Sequence, residues 1–546
     1  MKNYFEFVKK EAGPLNKTMV LMTAVAGIAN GLAVATAIHT AGKLQPGSLH
    51  FQEFFLFSSL LALFWFCKRY SMNESTKMVE EVVRLLRLRI LGKLKTTELL
   101  GLEAIDKGIF YSTLTTDTST ISLSTTLAVN AVSSMVMLTF IIVYIGIIST
   151  KALFISVGIV TVIVFFYLRN EKEISSSLKK SADCENTFMD NLGGLLNGFK
   201  ELKMNRRKYQ DFSKEELKTV IDNSTELRRD AGLRLNVTIL LSQCFILLSI
   251  TGILFLLPQV DKSQIPLIPK LIAIVIFSAG PIGDFAMAIP AISRAEAAVN
   301  NIRTLEGLID LGQSRIERIS DEQPIEELPW SRISLDEIFF QFPVKENGRP
   351  FHIGPMQLEF HKGEITFIVG GNGSGKSTFL KVMTSLYPQS SGRIFLDDTE
   401  ITPYNKASYR NIFSTIFSDY YLFRRLIGID QPDNELVRTL LSQMELADKT
   451  SIENGVITNR DLSTGQKKRL TLITSVLEDK PVMVFDEWAA DQDPVFRKFF
   501  YDVLLPELKA KGKTIIAVTH DDRYFYAADR IYKMEYGTCV PYGHIT

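Results

Sequence analysis

Six long apolar stretches dominate the first 290 positions, at about residues 19–41, 51–66, 127–148, 152–168, 237–257 and 266–289. A helix needs roughly 20 apolar residues to cross the hydrocarbon core of a bilayer, so each stretch predicts a membrane-spanning helix. Ala33-Val34-Ala35 has the form of a signal-peptidase site, but the apolar run continues past it and is too long for a cleaved leader. The first stretch therefore reads as a spanning helix. The sixth is interrupted at Gly280-Pro281, and Pro290 is expected to end it.

The polar segments between the spans alternate in length and charge. Those around Lys43, Lys151 and Lys262 are short and carry few other cations. Those after the second and fourth spans are long and basic, with Lys68, Arg69, Arg169 and Arg234 against the membrane. Positive charge stays on the cytoplasmic side, which places the long segments and the N-terminus there. Both long segments, near 76–94 and 172–233, show apolar residues at helical spacing with charged opposite faces. The spans are thus expected to continue outward as long helices. Polar, Gly-containing breaks at 107–117 and 191–194 are the places expected for short helices that touch a soluble domain.

Beyond residue 290 the pattern changes. A charged helix over 293–318 precedes an acidic, Pro-containing linker at 321–329. After it, short β-branched runs at 338–341, 365–369, 482–485 and 514–518 alternate with helical patterns, which implies a largely parallel sheet.

Composition refines this little. Lys+Arg number 61 against Asp+Glu 60 in 546 residues, so no basic field argues for a nucleic-acid partner. The four cysteines, Cys67, Cys184, Cys244 and Cys539, have no metal-ligand spacing and read as reduced packing residues.

The chemistry lies in the soluble half. Gly370-Gly371-Asn372-Gly373-Ser374-Gly375-Lys376-Ser377-Thr378 fits G-x-x-x-x-G-K-[ST], between a predicted strand and a predicted helix. Such a loop cradles nucleotide phosphates on its backbone N–H groups, with Lys376 on the outer phosphates and Ser377 on Mg2+. Asp486 and Glu487 end the apolar strand Val482-Met483-Val484-Phe485. From there Asp486 can reach the magnesium shell and Glu487 can orient or deprotonate an attacking water. His520, in Val518-Thr519-His520-Asp521, ends another apolar strand and would reach the γ-phosphate from the same sheet edge.

Taken with Leu462-Ser463-Thr464-Gly465-Gln466, these motifs resemble the ATP-binding cassette (ABC) transporter family over the whole chain. The resemblance implies an exporter-type half-transporter. That is a six-span α-helical transmembrane domain at 1–318, a linker at 319–330 and an α/β P-loop ATPase domain at 331–546. It further implies ATP and Mg2+ as cofactors, Glu487 as catalytic base and His520 as switch histidine. Ser463, Gly465 and Gln466 form the signature that closes on the ATP of a second copy, so a homodimer is expected. Phe342, before Pro343, stands where an aromatic stacks on adenine. The location implied is a bacterial inner membrane, with N-terminus and ATPase domain cytoplasmic.

The sequence departs from that pattern in places. Ser418 occupies the position of a usual glutamine, leaving Ser418 or Asp419 to serve the metal there, and Thr464 replaces a usual glycine. The string Glu487-Trp488-Ala489-Ala490-Asp491-Gln492-Asp493-Pro494, with Phe417-Ser418-Asp419, resembles a bacterial subfamily that exports cyclic peptides and peptide siderophore precursors. An importer or a lipid flippase on the same fold, and a membrane-tethered regulatory ATPase, stay open. Within the spans, Asp284 is costly against lipid, so it is expected to face a water-filled cavity or a partner. His39, Asn130 and Gln243 are further polar residues that could line a cargo path or simply bridge helices.

Overall fold

The computed structural model describes residues 2–11, 16–41, 51–312, 330–343, 351–429 and 432–542. The linker residues 319–329 lie outside them. The chain divides into two compact units, Met1–Lys95 with Ala104–Leu311, and Thr96–Glu103 with Gly312–Thr546.

In the first unit the described secondary structure is entirely helical. Five helical stretches among the described residues are long and apolar enough to cross a membrane: Lys17–Ala41, Phe51–Lys95, Lys107–Ile148, Gln243–Val260 and Lys262–Leu311. The span expected at 152–168 falls within a further long helix, Thr150–Asn197. Its first residues, Thr150–Ile159, are apolar, and most side chains from 160 to 175 lie outside the described residues. Phe54, Phe55, Leu56, Leu61, Trp65 and Phe66 all stand exposed on Phe51–Lys95. Such a face is unfavourable in water and at ease against lipid tails.

Small residues let these helices approach closely. A Cβ on Gly31 would lie 2.4 Å from the Phe140 ring, and one on Gly27 would lie 2.8 Å from Val136 Cβ. Hydroxyls bridge elsewhere, with Thr23 and Ser71 at 2.5 Å and Tyr4 and Thr125 at 2.6 Å. Arg89 joins Glu11 at 2.6 Å and Glu306 at 2.8 Å, tying three helices together by charge.

The last span differs from expectation at two prolines. The interruption falls at Ser278, between helices Ile268–Phe277 and Ala279–Leu311. Pro281 sits in the first turn of the second helix, where a missing N–H has no helical partner to lose. Pro290 does not end that helix, which continues to Leu311. Proline is tolerated inside spanning helices when neighbouring groups satisfy the carbonyl it frees.

The second unit is α/β. Its strands are β1 Arg332–Gln341, β2 His352–His361, β3 Ile365–Val369, β4 Ser391–Leu396, β5 Thr399–Glu400, β6 Phe413–Ile416, β7 Ile452–Glu453, β8 Val456–Ile457, β9 Val482–Asp486, β10 Thr514–Val518, β11 Arg530–Glu535 and β12 Thr538–Pro541. The main sheet has the order β12-β11-β3-β10-β9-β6, and an antiparallel sheet runs β2-β1-β4-β5. Every residue of β3, β9 and β10 is buried. Helices cover both faces of such a parallel sheet, which is why these strands read as unbroken apolar runs.

The segment Thr96–Glu103 packs as part of this unit, ahead of the break expected at 107–117. Leu99 and Leu100 rest on the core that includes Phe340, Phe379 and Tyr409. Glu98 pairs with Lys406 and Arg410, while Glu103 pairs with Lys381 at 3.1 Å and accepts from the Tyr387 hydroxyl. Gly101 lies against Gly312 so closely that an added Cβ would meet its Cα at 2.5 Å.

Candidate nucleotide site

Three buried parallel strands deliver the site. In register, Val518 of β10 lies beside both Ile368 of β3 and Asp486 of β9. The C-terminal ends of β3, β9 and β10 therefore share one edge, the usual place for a ligand in an open α/β sheet.

After β3 the chain turns through Gly370 to Gly375 into the helix Lys376–Met383. Two glycines are required by this turn. Gly370 has φ 153°, and a Cβ there would lie 2.2 Å from the Met534 carbonyl oxygen. Gly375 caps the helix in the left-handed region at φ 104°. Lys376 is buried, and its Nζ donates to the carbonyls of Gly370 and Gly371, each at 3.0 Å. The same ammonium lies 3.5 Å from Glu487 Oε1. A pocket of about 560 Å³ opens here, lined by Phe351, Asn372, Gly373, Gly375, Lys376, Ser377, Thr378 and Glu487. Open N–H groups at a helix N-terminus, with a lysine beside them, suit phosphate.

Asp486 is 1% exposed. Its Oδ2 accepts the Ser418 backbone N–H at 3.3 Å, and its Oδ1 has no hydrogen-bond partner. A buried carboxylate oxygen is costly when unpaired, and a hard cation such as Mg2+ fits that donor. Ser374 Oγ is likewise buried and unpartnered. At this loop Ser418 reaches Asp486 through its backbone; the side chains of Ser418 and Asp419 are exposed.

Glu487 takes a left-handed backbone, φ 52° and ψ 36°, which costs a non-glycine residue about 1 kcal/mol. Its carboxylate meets His520 Nε2 at 2.9 Å. Burial works to raise the Glu487 carboxyl, but the His520 hydrogen bond and the Lys376 charge together hold it below its ordinary value. An ionised carboxylate so placed can accept a proton from water.

The remaining sequence candidates are distributed differently. Phe342 does not line the pocket; it is half-buried edge-on against Phe340 at 5.0 Å and Tyr387 at 5.8 Å. Phe351 lines the pocket instead. Its carbonyl accepts the Phe342 N–H at 3.1 Å, so pairing β1 with β2 in the sequence would have brought Phe351 into view. Ser463 caps the helix Thr464–Leu477, and Gln466 returns the bond to its backbone N–H at 3.0 Å. Ser463, Gly465 and Gln466 do not line the pocket of their own chain.

In the helical unit, Asp284 Oδ2 accepts the Ser134 hydroxyl at 2.7 Å. Asn130 lies one helical turn from Ser134 on the same face, its Oδ1 buried without a partner. His39 and Gln243 are exposed and share none of these contacts.

A phosphate loop, two strand-end carboxylates and a strand-end histidine on one parallel sheet define a P-loop ATPase domain, and a helical membrane unit precedes it. Residues 353–490 match the family profile described as ABC transporter. It is 34% identical to the ATP-binding protein SyrD of Pseudomonas syringae pv. syringae over 360 residues, covering 65% of this chain and 64% of that one. The chain thus spans under two thirds of that relative's length. The ATP-dependent lipid A-core flippase of Chromohalobacter salexigens is 27% identical over 289 residues, 48% of each chain. A solved bacterial Atm1-family ABC exporter with ATP bound superposes with TM-score 0.74 at 17% identity, covering 96% of this chain and 94% of that one. That likeness is one of fold, and with the apolar helices it makes this a multi-pass membrane protein.

Proposed function

We propose that this chain hydrolyses ATP to export a peptide-like small molecule across a bacterial inner membrane, working as a homodimer. The observation that carries the reading is the Glu487 carboxylate, fixed between His520 and Lys376 at the wall of the phosphate-loop pocket. Backbone N–H groups of residues 371–377 and the Lys376 ammonium would bind the phosphates. Magnesium, held by Ser377 and Asp486, would neutralise phosphate charge. Glu487 would take the proton of the attacking water, with His520 holding that carboxylate in place. The signature of a second copy, from Ser463 to Gln466, would complete each site. ATP would close the two ATPase domains and hydrolysis would reset them.

The peptide-like cargo is supported by the strings at 417–419 and 487–494. Lipid flipping is the second reading, favoured by the likeness to lipid A-core flippases. Reconstitution in liposomes, with ATPase and cargo movement followed together, separates the two. Cyclic peptides should raise ATPase and accumulate in the lumen of inside-out vesicles. Stimulation by lipid A-core alone would reject the peptide reading.

Asp284, with Ser134 and Asn130 beside it, is the proposed cargo-facing group. Asp284→Asn should lower cargo-stimulated ATPase several-fold while basal ATPase stays near normal. Equal loss of both activities would mark Asp284 as a bundle-packing residue, and loss of neither would remove it from the path.

A further inference from the structure

The turn that carries Glu487 is fastened to the helix Thr464–Leu477 by a side chain outside the pocket. Lys468 is 4% exposed. Its Nζ donates to the Glu487 carbonyl at 3.0 Å and pairs with the Asp491 carboxylate at 2.7 Å. Its own carbonyl accepts the Trp488 indole N–H at 3.0 Å. One residue thereby holds the backbone of 487, the side chain of 488 and the side chain of 491.

Burying an ammonium is unfavourable unless it is paired and hydrogen-bonded, and an apolar residue of similar length packs such a place about as well. Stability alone therefore does not call for a charge at position 468. The geometry of Glu487 does. Its N–H donates to the Val518 carbonyl at 3.2 Å on one side, and Lys468 holds its carbonyl on the other. Between those anchors the backbone stays left-handed, and the side chain projects to His520 and Lys376. The Glu487 carbonyl also accepts the Ala490 N–H at 3.3 Å; without Lys468 that longer bond would be left to hold it against the strain, and rotation about ψ would turn the carboxylate aside.

The rest of the turn has separate supports. Gln492 Nε2 donates to the Gly465 carbonyl at 3.2 Å. Arg469 donates to Gln492 Oε1 at 2.9 Å and pairs with Asp493 at 2.6 Å. Its guanidinium also stacks on Phe496, 3.6 Å from the ring centroid. Loss of the Lys468 charge would leave the turn folded and its aim altered.

We propose that Lys468 is a positioning residue for ATP hydrolysis, fixing the peptide after Glu487 so that the carboxylate stays directed into the pocket. The proposal rests on Glu487 being the proton acceptor.

The test uses the full chain with Mg-ATP and the substitutions Lys468→Met and Lys468→Arg. Lys468→Met should lower kcat about ten- to hundredfold, the scale of misplacing a reacting group by a fraction of an ångström to one ångström. KM and the affinity for a fluorescent ATP analogue should stay within about twofold of the parent protein. Lys468→Arg, which keeps charge and reach, should recover most of the loss. In a Glu487→Gln background, Lys468→Met should change residual hydrolysis by less than about twofold, because there is no base left to aim. A parental kcat for Lys468→Met, a parallel loss of nucleotide affinity, or an equal fold-loss in both backgrounds would overturn the proposal while leaving Glu487 in its role. Parental hydrolysis by Glu487→Gln itself would overturn both.

Discussion

Glu487→Gln should bind ATP as tightly as the parent chain and hydrolyse it at least about a hundredfold more slowly, the scale of losing a general base. Gln is isosteric and can still meet His520 and Lys376, so the pocket keeps its shape and loses only its proton acceptor. Because the His520 contact and the Lys376 charge hold the carboxyl below its ordinary value, the parent base is ionised throughout the neutral range. The ratio of parent to variant rates should accordingly stay flat between about pH 6 and 8. Single-turnover phosphate release, alongside equilibrium nucleotide binding, checks both statements. Phosphate release by the variant near the parental rate would remove Glu487 from its role. Lys376→Ala should act one step earlier and weaken binding itself, since that ammonium lies at the head of the phosphate loop.

The second large effect concerns two copies of the chain. Ser463, Gly465 and Gln466 stay out of the pocket formed by their own chain, so each site of the proposed homodimer needs a partner's signature. A two-fold arrangement then gives two equivalent sites. In a mixed dimer, Lys376→Ala in one copy and Ser463→Arg in the other place both lesions in the same site and spare the second. Such a mixture should hydrolyse ATP, whereas dimers with both changes in each chain should fall to background. Native mass measurement of the active species in detergent is the direct check; an active single chain would end the proposal.

The parts legible in the sequence were those whose local pattern repeats their environment. β3 and β10, buried on both faces, occur where unbroken β-branched runs predicted them. Phosphate-loop residues could be named individually because a tight glycine turn and a helix N-terminus leave few alternatives. Other features depend on contacts that no local pattern encodes. The helix Leu99–Glu103 is too short to show a period, and Glu98 finds Lys406 across 308 residues of chain. Phe351 and Phe342 are joined by a backbone hydrogen bond just past the paired ends of β1 and β2, and which of the two aromatics faces the pocket depends on that long-range pairing. Pro290 was read by its usual effect in water-soluble helices, whereas the packing of a membrane bundle admits it. Lys468 sits in a Lys-Lys-Arg run whose local pattern gives no sign of its burial or of its three partners.

The grouping of Thr96–Glu103 with the ATPase fold bears on how that fold can be handled by itself. A fragment starting at residue 331 has every strand and every nucleotide motif, and would be drawn from sequence as a self-sufficient enzyme. It would nevertheless lack a strip of its own packing: Leu99 and Leu100 would no longer shield the Phe340–Tyr409 core, and Lys406, Arg410 and Lys381 would lose Glu98 and Glu103. The uncovered apolar strip beside a row of cations would favour self-association. Supplying residues 96–103 as a tethered or added peptide should restore dispersity to that fragment, making the peptide a folding cofactor drawn from the membrane half of the same gene product.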